Sequence, residues 1–576
     1  MALLPLKASK ILLKEGFTGL WTRVKERCRS NKHWIKLYIP SAERLARMKE
    51  EEEAFLYRPL VSIILPVYET PAAFLRAAVE SVCSQVYPHW ELCIADDASK
   101  SPHVRAILEE YEAKDQRIKA VFRGENGHIA ECSNSALKLA GGEFMCLLDH
   151  DDELAPHALH EAVKALNANP ELDMLYSNEA KIDELGNFRE LALKAAWAPD
   201  YFMSFMYIGH LSVYRTELVR RVGGFRKGYE GSQDYDLALR VTEISRAPQH
   251  IAQVLYYWRM HSDSVAQNID CKPYAFQAAS RALNDALKRR GYPEAKAVST
   301  SYRGISRVIY PKETKCSVSV MIYGGRKKNA LEYASALETL LGRDYNLQLI
   351  IEEDNSGDQV QRLGPEVYLV PRRLGFGALM QIAGQLSDGK YVLLMEAYAK
   401  AAHDDWFSAL AEHISRPDVA MVGPKLVDRR GLIAAAGYSL RQGKLYANFA
   451  GQSSEGPGEA ARLVAMNNFT FLPSVCLLLK GKIFRDFLSR TVRYHAQAAF
   501  DLALGLYIKQ QSLYALWTPY AEIAISDGAV PAVLELESLG ADFQQLKKNY
   551  SIHNFIDPYD VIGAAPGRAL FELNNR

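Results

Sequence analysis

Residues 144–154 read Phe144-Met145-Cys146-Leu147-Leu148-Asp149-His150-Asp151-Asp152-Glu153-Leu154. An apolar run of strand length ends abruptly in four carboxylates and a histidine. Leu147 and Leu148 belong in a core, whereas aspartates almost never enter one unless paired or bound to a metal. The chain therefore leaves a buried strand and at once presents anionic oxygen. In an open α/β sheet, ligands bind outside the carboxyl ends of the strands. Carboxylates packed this closely repel one another unless a cation lies among them. Hard oxygen donors select Mg²⁺ or Mn²⁺, ions usually shared with substrate phosphates. The stretch predicts a metal–diphosphate site at the end of a core strand.

The same grammar precedes it. Residues 60–67 (LVSIILPV) form a buried-strand run, and 74–86 is helical with Leu75, Val79, Val82 and Val86 on one face. A second strand over 90–95 ends in Asp96-Asp97-Ala98-Ser99. A helix over 104–111, a strand over 118–122 and a helix over 130–140 lead to the quoted strand. Strands that alternate with helices and are apolar on both faces indicate a parallel sheet. Three strand ends are polar (Tyr68 and Glu69, Asp96 and Asp97, Asp149 to Asp152), and in one sheet they converge on one cleft. A dinucleotide fold would need G-x-G-x-x-G after its first strand. Here that strand runs into Pro66-Val67-Tyr68-Glu69-Thr70-Pro71 without a glycine.

Downstream the pattern loosens. Residues 174–176 read as a strand and 181–187 as a hairpin turn. The aromatic-rich stretch 197–206 lines an acceptor pocket or is plain core. Gly231-Ser232-Gln233-Asp234-Tyr235-Asp236-Leu237 reads as a helix start, with Ser232 as N-cap and the aspartates in the first turn. An aspartate there is either a cap or a chemical group. A strand over 251–258 then ends in Arg259-Met260-His261, where the histidine is either structural or a ligand.

At 576 residues the chain needs two or three cores. A formal net charge of +1 gives no electrostatic case for nucleic acid. Eight scattered cysteines without a CxxC pair point to reduced thiols and a cytoplasmic location. No run reaches the roughly 18 apolar residues of a membrane span, and Lys7, Lys10 and Lys14 interrupt any signal-peptide core. Residues 1–40 carry nine Lys or Arg against two Glu, interleaved with Leu3, Leu4, Ile11, Leu12, Phe17 and Trp21. Two readings stay open for this segment. It is an amphipathic helix peripheral to the inner face of the cytoplasmic membrane, or a solvated basic helix packed on the protein.

Six stretches together resemble the inverting nucleotide-sugar glycosyltransferases of family 2, which have the GT-A fold. They are VSIILPVYE (61–69), ADDAS (95–99), NGHIAECSNSALKLAGGEF (126–144), LLDHDDEL (147–154), GSQDYDLALR (231–240) and YYWRMHSDS (256–264). Their wording is most similar to transferases of O-antigen, lipopolysaccharide and other bacterial surface polysaccharides, including rhamnosyltransferases. The resemblance implies a nucleotide diphosphate-sugar donor, a glycan or lipid-linked glycan acceptor, and Mg²⁺ or Mn²⁺. It implies Asp234 as catalytic base, and Asp149, Asp151, Asp152 and His261 as metal ligands. Glu69 and Asp97 then hold the base and ribose, with Pro66, Tyr68, Asn126, Asn134 and Asp149 as further nucleotide-sugar-binding positions. The chemistry suits such a set, since inversion needs in-line attack by a hydroxyl that a carboxylate deprotonates.

From Lys315 the grammar restarts. Residues 317–322, 330–341, 345–352 and 378–386 parallel the first helices and strands, and 392–395 parallels the quoted strand. There the chain reads Glu396-Ala397-Tyr398-Ala399-Lys400, leaving one carboxylate. Ala499 stands where Asp234 does, and Asp404 with Asp405 reads as an N-cap pair. The expected class is α/β, with two tandem GT-A-like domains that have mainly parallel sheets flanked by helices, plus an N-terminal helical segment. The expected divisions are a basic segment over 1–58, a catalytic domain over 59–270 and a helix and linker over 271–314. A degenerate non-catalytic domain over 315–530 and a tail over 531–576 follow. Two other functions compete with transfer. A non-catalytic scaffold in polysaccharide assembly would not need Asp234 together with Asp149 to Asp152. A nucleotidyltransferase would need a Gly-rich basic loop where PVYETP stands. Processive synthases of the family carry Q-x-x-R-W and membrane helices, and neither is read here.

Overall fold

The computed structural model describes residues 38–261, 273–313, 317–324, 345–353, 361–362, 367–371, 375–490, 494–552 and 555–560. The N-terminal reading over 1–37, the repeat helix over 330–341 and the end of the tail lie outside the described residues. The chain forms two compact units. Among described residues the first holds 38–197 and Ile208–Ala282, and the second holds Ala198–Tyr207 and those from Leu283 onward. No described helix is long and apolar enough to cross a membrane.

The first unit is built on nine strands: β1 (Val61–Val67), β2 (Trp90–Asp96), β3 (Ile118–Phe122), β4 (Phe144–Leu147), β5 (Glu153–Leu154), β6 (Met174–Ile182), β7 (Phe188–Ala192), β8 (Ser212–Arg215) and β9 (Gln249–Arg259). Their order is β3-β2-β1-β4-β8-β6-β9-β5, with β7 paired to β6. β1 and β2 are buried along their whole length, which is why their sequences run apolar without alternation. Helix Ala72–Cys83 buries Leu75, Val79 and Val82, and helix His128–Leu139 buries Ala130, Ala136 and Leu137. β1 is parallel to β2 and β4, with Val61 opposite Trp90 and Phe144. The carboxyl ends of all three therefore open on one edge, as the polar strand ends require.

The sheet is more mixed than "mainly parallel" implies. β8 runs antiparallel to both β4 and β6, and β6 and β7 form a hairpin closed at Asp183 and Asn187. The strand read over 174–176 extends to Ile182, because pairing with β9 and β7 outweighs its polar residues.

The second unit repeats the order of the first. Its sheet runs Val367–Pro371, Tyr345–Glu353, Val318–Tyr323, Tyr391–Glu396, Cys476–Lys480, Val419–Val427, Tyr514–Ala524, Lys400–Ala401, with Gln361–Arg362 added at one edge. Strand for strand this is β3-β2-β1-β4-β8-β6-β9-β5. Val318 lies opposite Tyr345 and Tyr391 as Val61 lies opposite Trp90 and Phe144. The aromatic stretch 197–206 proves to be core. Tyr201, Phe202 and Met203 are buried within the second unit, where Asp200 pairs with Arg416 and accepts from Asn468 Nδ2 at 3.0 Å.

Candidate active site

Three non-glycine residues with left-handed backbone surround the open edge: Glu69 (φ 49°), Ala98 (φ 62°) and His128 (φ 62°). Such conformations cost energy and cluster at functional sites. Two of them follow β1 and β2 directly, turning the chain away just where ligand room is needed. Pro66 sits inside β1 opposite Ala95 and is buried, whereas Tyr68 is 44% exposed. The Glu69 carboxylate accepts from Lys100 N and Ser101 Oγ, both at 2.5 Å, and these bonds hold its pKa below the usual carboxylate value.

Asp97 is buried and its Oδ1 accepts from Arg123 Nε (2.8 Å) and Gly127 N (3.0 Å). Arg123 also reaches Ser135 Oγ at 2.6 Å, so one guanidinium ties β3 to helix His128–Leu139 under the cleft. Asn126 donates to Asp97 O and accepts from His128 N. Asn134 spends its amide on Phe225, donating to its carbonyl (2.8 Å) and accepting from its N–H (2.9 Å). Both side-chain amides therefore bond within the protein.

The quoted stretch divides into different environments. Asp149 is 39% exposed, with Oδ2 3.7 Å from His210 Nε2. Asp151 Oδ2 is 2.7 Å from His261 Nε2, and the charges of His150 and His261 outweigh burial to lower its pKa. Asp152 lies beneath them, 1% exposed. Its Oδ2 accepts from Tyr256 OH (2.8 Å) and its Oδ1 from Arg259 N (2.7 Å). Burial first, then the neighbouring Asp151 and Asp149, push its pKa well above the ordinary carboxylate value. Tyr256 OH also accepts the N–H of Asp149 at 3.1 Å. Arg259 is buried, donates to Asp151 O at 2.8 Å and Asp183 O at 3.0 Å, and pairs with Glu153. The end of β9 thus holds the acidic loop from below.

Asp234 opens helix Gln233–Thr242. Gly231 precedes it at φ 81°, and a Cβ there would lie 2.8 Å from that of Ala275, so only glycine fits. Ser232 occupies the N-cap position, yet its hydroxyl donates to Ala275 O at 2.8 Å instead of capping, because helix Pro273–Arg289 brings that carbonyl within reach. Asp234 is half-buried. Desolvation raises its pKa, opposed by His210 and reinforced by Asp149, so all three carboxyl and imidazole groups share one electrostatic neighbourhood. Asp236 has a different task. It is fully buried and pairs with Arg226 and with Arg240 (2.7 Å), while Arg240 donates to Val222 O and Gly224 O. Asp236→Ala leaves Arg240 buried and uncompensated, which costs about 3–5 kcal/mol. A fall in Tm of several degrees by calorimetry is expected, and an unchanged Tm would remove this helix anchor.

Among the described residues, no three His, Cys, Asp or Glu side chains converge on one point as a closed metal cage. What Asp149 and Asp151 offer is hard anionic oxygen at the cleft. Mg²⁺ and Mn²⁺ sites of this type use one or two carboxylates and take further oxygens from substrate phosphates and water. The donor set therefore fits a cation that arrives with a diphosphate.

The strand ends were readable in sequence, but several supports were not. His210, the Glu179–Lys194 pair and Arg123 lie outside the six motifs, and Tyr256 and Arg259, although within 256–264, gave no sign there that they support the acidic loop. A signal existed for two of them: Glu179 interrupts the strand MLYSNEAKI, and Arg259 ends an aromatic strand. Both are charges at positions a core strand would fill with apolar groups.

Residues 62–223 match the family model described as glycosyl transferase family 2. The chain is 34% identical over 527 residues to the uncharacterized protein y4gI of Sinorhizobium fredii, covering 87% of this chain and 57% of that one. It is 29% identical over 508 residues to O-antigen biosynthesis protein RfbC of Myxococcus xanthus, covering 85% and 39%. It thus spans about half the length of these relatives or less. Among solved structures, S. aureus TarS 1–349 in complex with UDP-GlcNAc is similar at 19% identity and a TM-score of 0.34, covering 39% of this chain and 66% of that one.

Proposed function

Because the chain carries a glycosyl transferase family 2 domain, we propose that its first unit moves a sugar from a nucleotide diphosphate-sugar to a hydroxyl of a glycan or glycolipid. The transfer inverts the anomeric centre, and surface-polysaccharide assembly is its setting. The observation that supports this reading is that Asp149, just past β4, lies near enough for its charge to raise the pKa of Asp234 in the first turn of helix Gln233–Thr242. The name of the Myxococcus relative supports the setting.

Asp234 takes the proton of the acceptor hydroxyl as its oxygen bonds to the sugar's C1 and the bond from C1 to the diphosphate breaks. Asp149 and Asp151 would hold a divalent cation, which supplies Lewis-acid stabilisation of the leaving diphosphate. Exposed Tyr68 offers a face for the base. Glu69, held by Lys100 N and Ser101 Oγ, binds the nucleoside, and buried Asp97 acts behind it through Arg123 and Gly127 N. Arg259 and Tyr256 keep the acidic loop in place from beneath. The second unit, with Glu396 and Ala499 at the corresponding points, takes no part in the chemistry.

A thermal-shift series tests this with UDP, GDP and dTDP, each with and without Mn²⁺. Saturation at one hundred times Kd stabilises by about 2.7 kcal/mol, so one diphosphate is expected to raise Tm by several degrees. EDTA is expected to reverse the gain. If none of the three shifts Tm at millimolar concentration with Mn²⁺, the donor site is refuted.

A further inference from the structure

His210 is held more firmly than a loop residue needs to be. Its N–H donates to Glu179 Oε2 at 3.1 Å, and its carbonyl accepts from Lys194 Nζ at 2.5 Å. The same Nζ reaches Ile208 O at 2.7 Å and Glu179 Oε2 at 2.9 Å. Both Glu179 and Lys194 are buried, 8% and 7% exposed. Charges taken out of water are expensive unless they are paired and fully hydrogen-bonded. Here both charges are used on the backbone of residues 208–210. Gly209 lets the carboxylate approach, since a Cβ there would lie 3.0 Å from Glu179 Oε2. Just beyond, Leu211 N donates to Ser177 Oγ at 3.3 Å and Ser212 Oγ to Gly209 O at 2.7 Å.

The ring is fixed as well. It stacks on Tyr256 with centroids 4.5 Å apart and planes 18° from parallel, and Tyr256 is itself bonded to Asp152 and to the N–H of Asp149. Nε2 faces Asp149 Oδ2 at 3.7 Å, beyond direct hydrogen-bond reach. His210 also lies near enough to Asp234 to oppose the rise that burial gives its pKa. In the reading proposed above, Asp149 lies on the diphosphate side and Asp234 on the acceptor side. The group between them is the transferred sugar.

We infer that His210 is a specificity-determining residue whose Nε2 hydrogen-bonds a hydroxyl of the transferred sugar, and that the Glu179–Lys194 pair is a buried clamp that positions it. This inference rests on the donor-site reading. A site built to bond a substrate hydroxyl discriminates strongly between ligands with and without it.

The test is calorimetric titration of the full chain with Mn²⁺ and UDP, GDP or dTDP, each beside its hexose ester. The chain is expected to bind one sugar ester more tightly than the bare diphosphate. His210→Ala is expected to erase that preference, by about 10–100-fold, and to leave affinity for the bare diphosphate unchanged. His210→Gln, which keeps a donor at the Nε2 position, is expected to restore part of it. Retention of the preference in His210→Ala overturns the inference. So does an equal loss for diphosphate and ester, which would place His210 at the diphosphate. If the unaltered chain binds no diphosphate at all, the donor reading itself falls, and this inference falls with it.

Discussion

Asp234→Asn is expected to lower sugar transfer by about 10²–10⁴-fold, the usual contribution of a general base, while nucleotide diphosphate still binds. The two side chains have nearly the same shape, so the substitution removes basicity and little else. The neighbouring carboxylate supplies the contrast, because Asp236 is fully buried between Arg226 and Arg240 and cannot meet an acceptor. Loss of activity through Asp236 would come with a lower Tm, and through Asp234 without one. Burial raises the Asp234 pKa above the ordinary carboxylate value, with Asp149 adding and His210 opposing. A base works only when deprotonated. The acid limb of the rate profile is therefore expected above the ordinary carboxylate range, with rate lost as pH falls through the raised pKa. Wild-type turnover by Asp234→Asn, at any pH, would rule out the base assignment.

Much of this site was legible in the sequence because its chemistry is local. Asp149 comes one residue after the end of β4, Tyr68 and Glu69 follow β1, and Asp97 follows β2, so an apolar run ending in oxygen marks each one. Asp234 was legible for a similar reason, in the first turn of a helix with a clear apolar stripe. The repeat was legible because sheet order is set by strand order, and both units thread eight strands alike. What stayed hidden depends on distant partners. Asp152 looks like Asp151 in sequence, but Tyr256 and the Arg259 N–H from β9 hold it buried, whereas Asp151 meets His261. Ser232 sits at a cap position, but Ala275 from a later helix takes its hydroxyl. His210 carries no periodic signal at all, since its position depends on Glu179 and Lys194, each from another part of the chain.

The chain also contains its own control, which allows a paired prediction. The register of the two sheets aligns Glu396 with Asp149, Tyr398 with Asp151, Ala399 with Asp152 and Lys400 with Glu153. The backbone turn survives in both, with Asp152 N bonding to Asp149 O at 3.2 Å and Ala399 N to Glu396 O at 3.0 Å. The second unit has the same turn with one carboxylate, Glu396, where the first has four. Around the matching cleft, Tyr323 OH donates to Ser474 O at 2.9 Å and accepts from Gln497 Nε2 at 3.2 Å. Asp501, which aligns with Asp236, pairs with no arginine among the described residues; burial pushes its pKa up to about 8, and its Oδ1 accepts from Ser474 N at 3.1 Å. Asp149→Ala and Asp151→Ala are each expected to lower transfer by at least about 10²-fold, because each removes anionic oxygen that would hold the cation and so weakens stabilisation of the leaving group. Added Mn²⁺ is expected to recover part of the loss in Asp151→Ala and less in Asp149→Ala, whose carboxylate is the more exposed to the cleft. Glu396→Ala, the same change at the aligned point of the second unit, is expected to leave both transfer and its metal dependence unchanged. Transfer assays of the three variants across a Mn²⁺ titration decide the matter. If Glu396→Ala costs as much as Asp149→Ala, the second unit is catalytic and the division of labour between the two sheets is wrong. If neither aspartate variant loses activity, no cation held by this loop assists the reaction, and the excess negative charge at the end of β4 needs another cause.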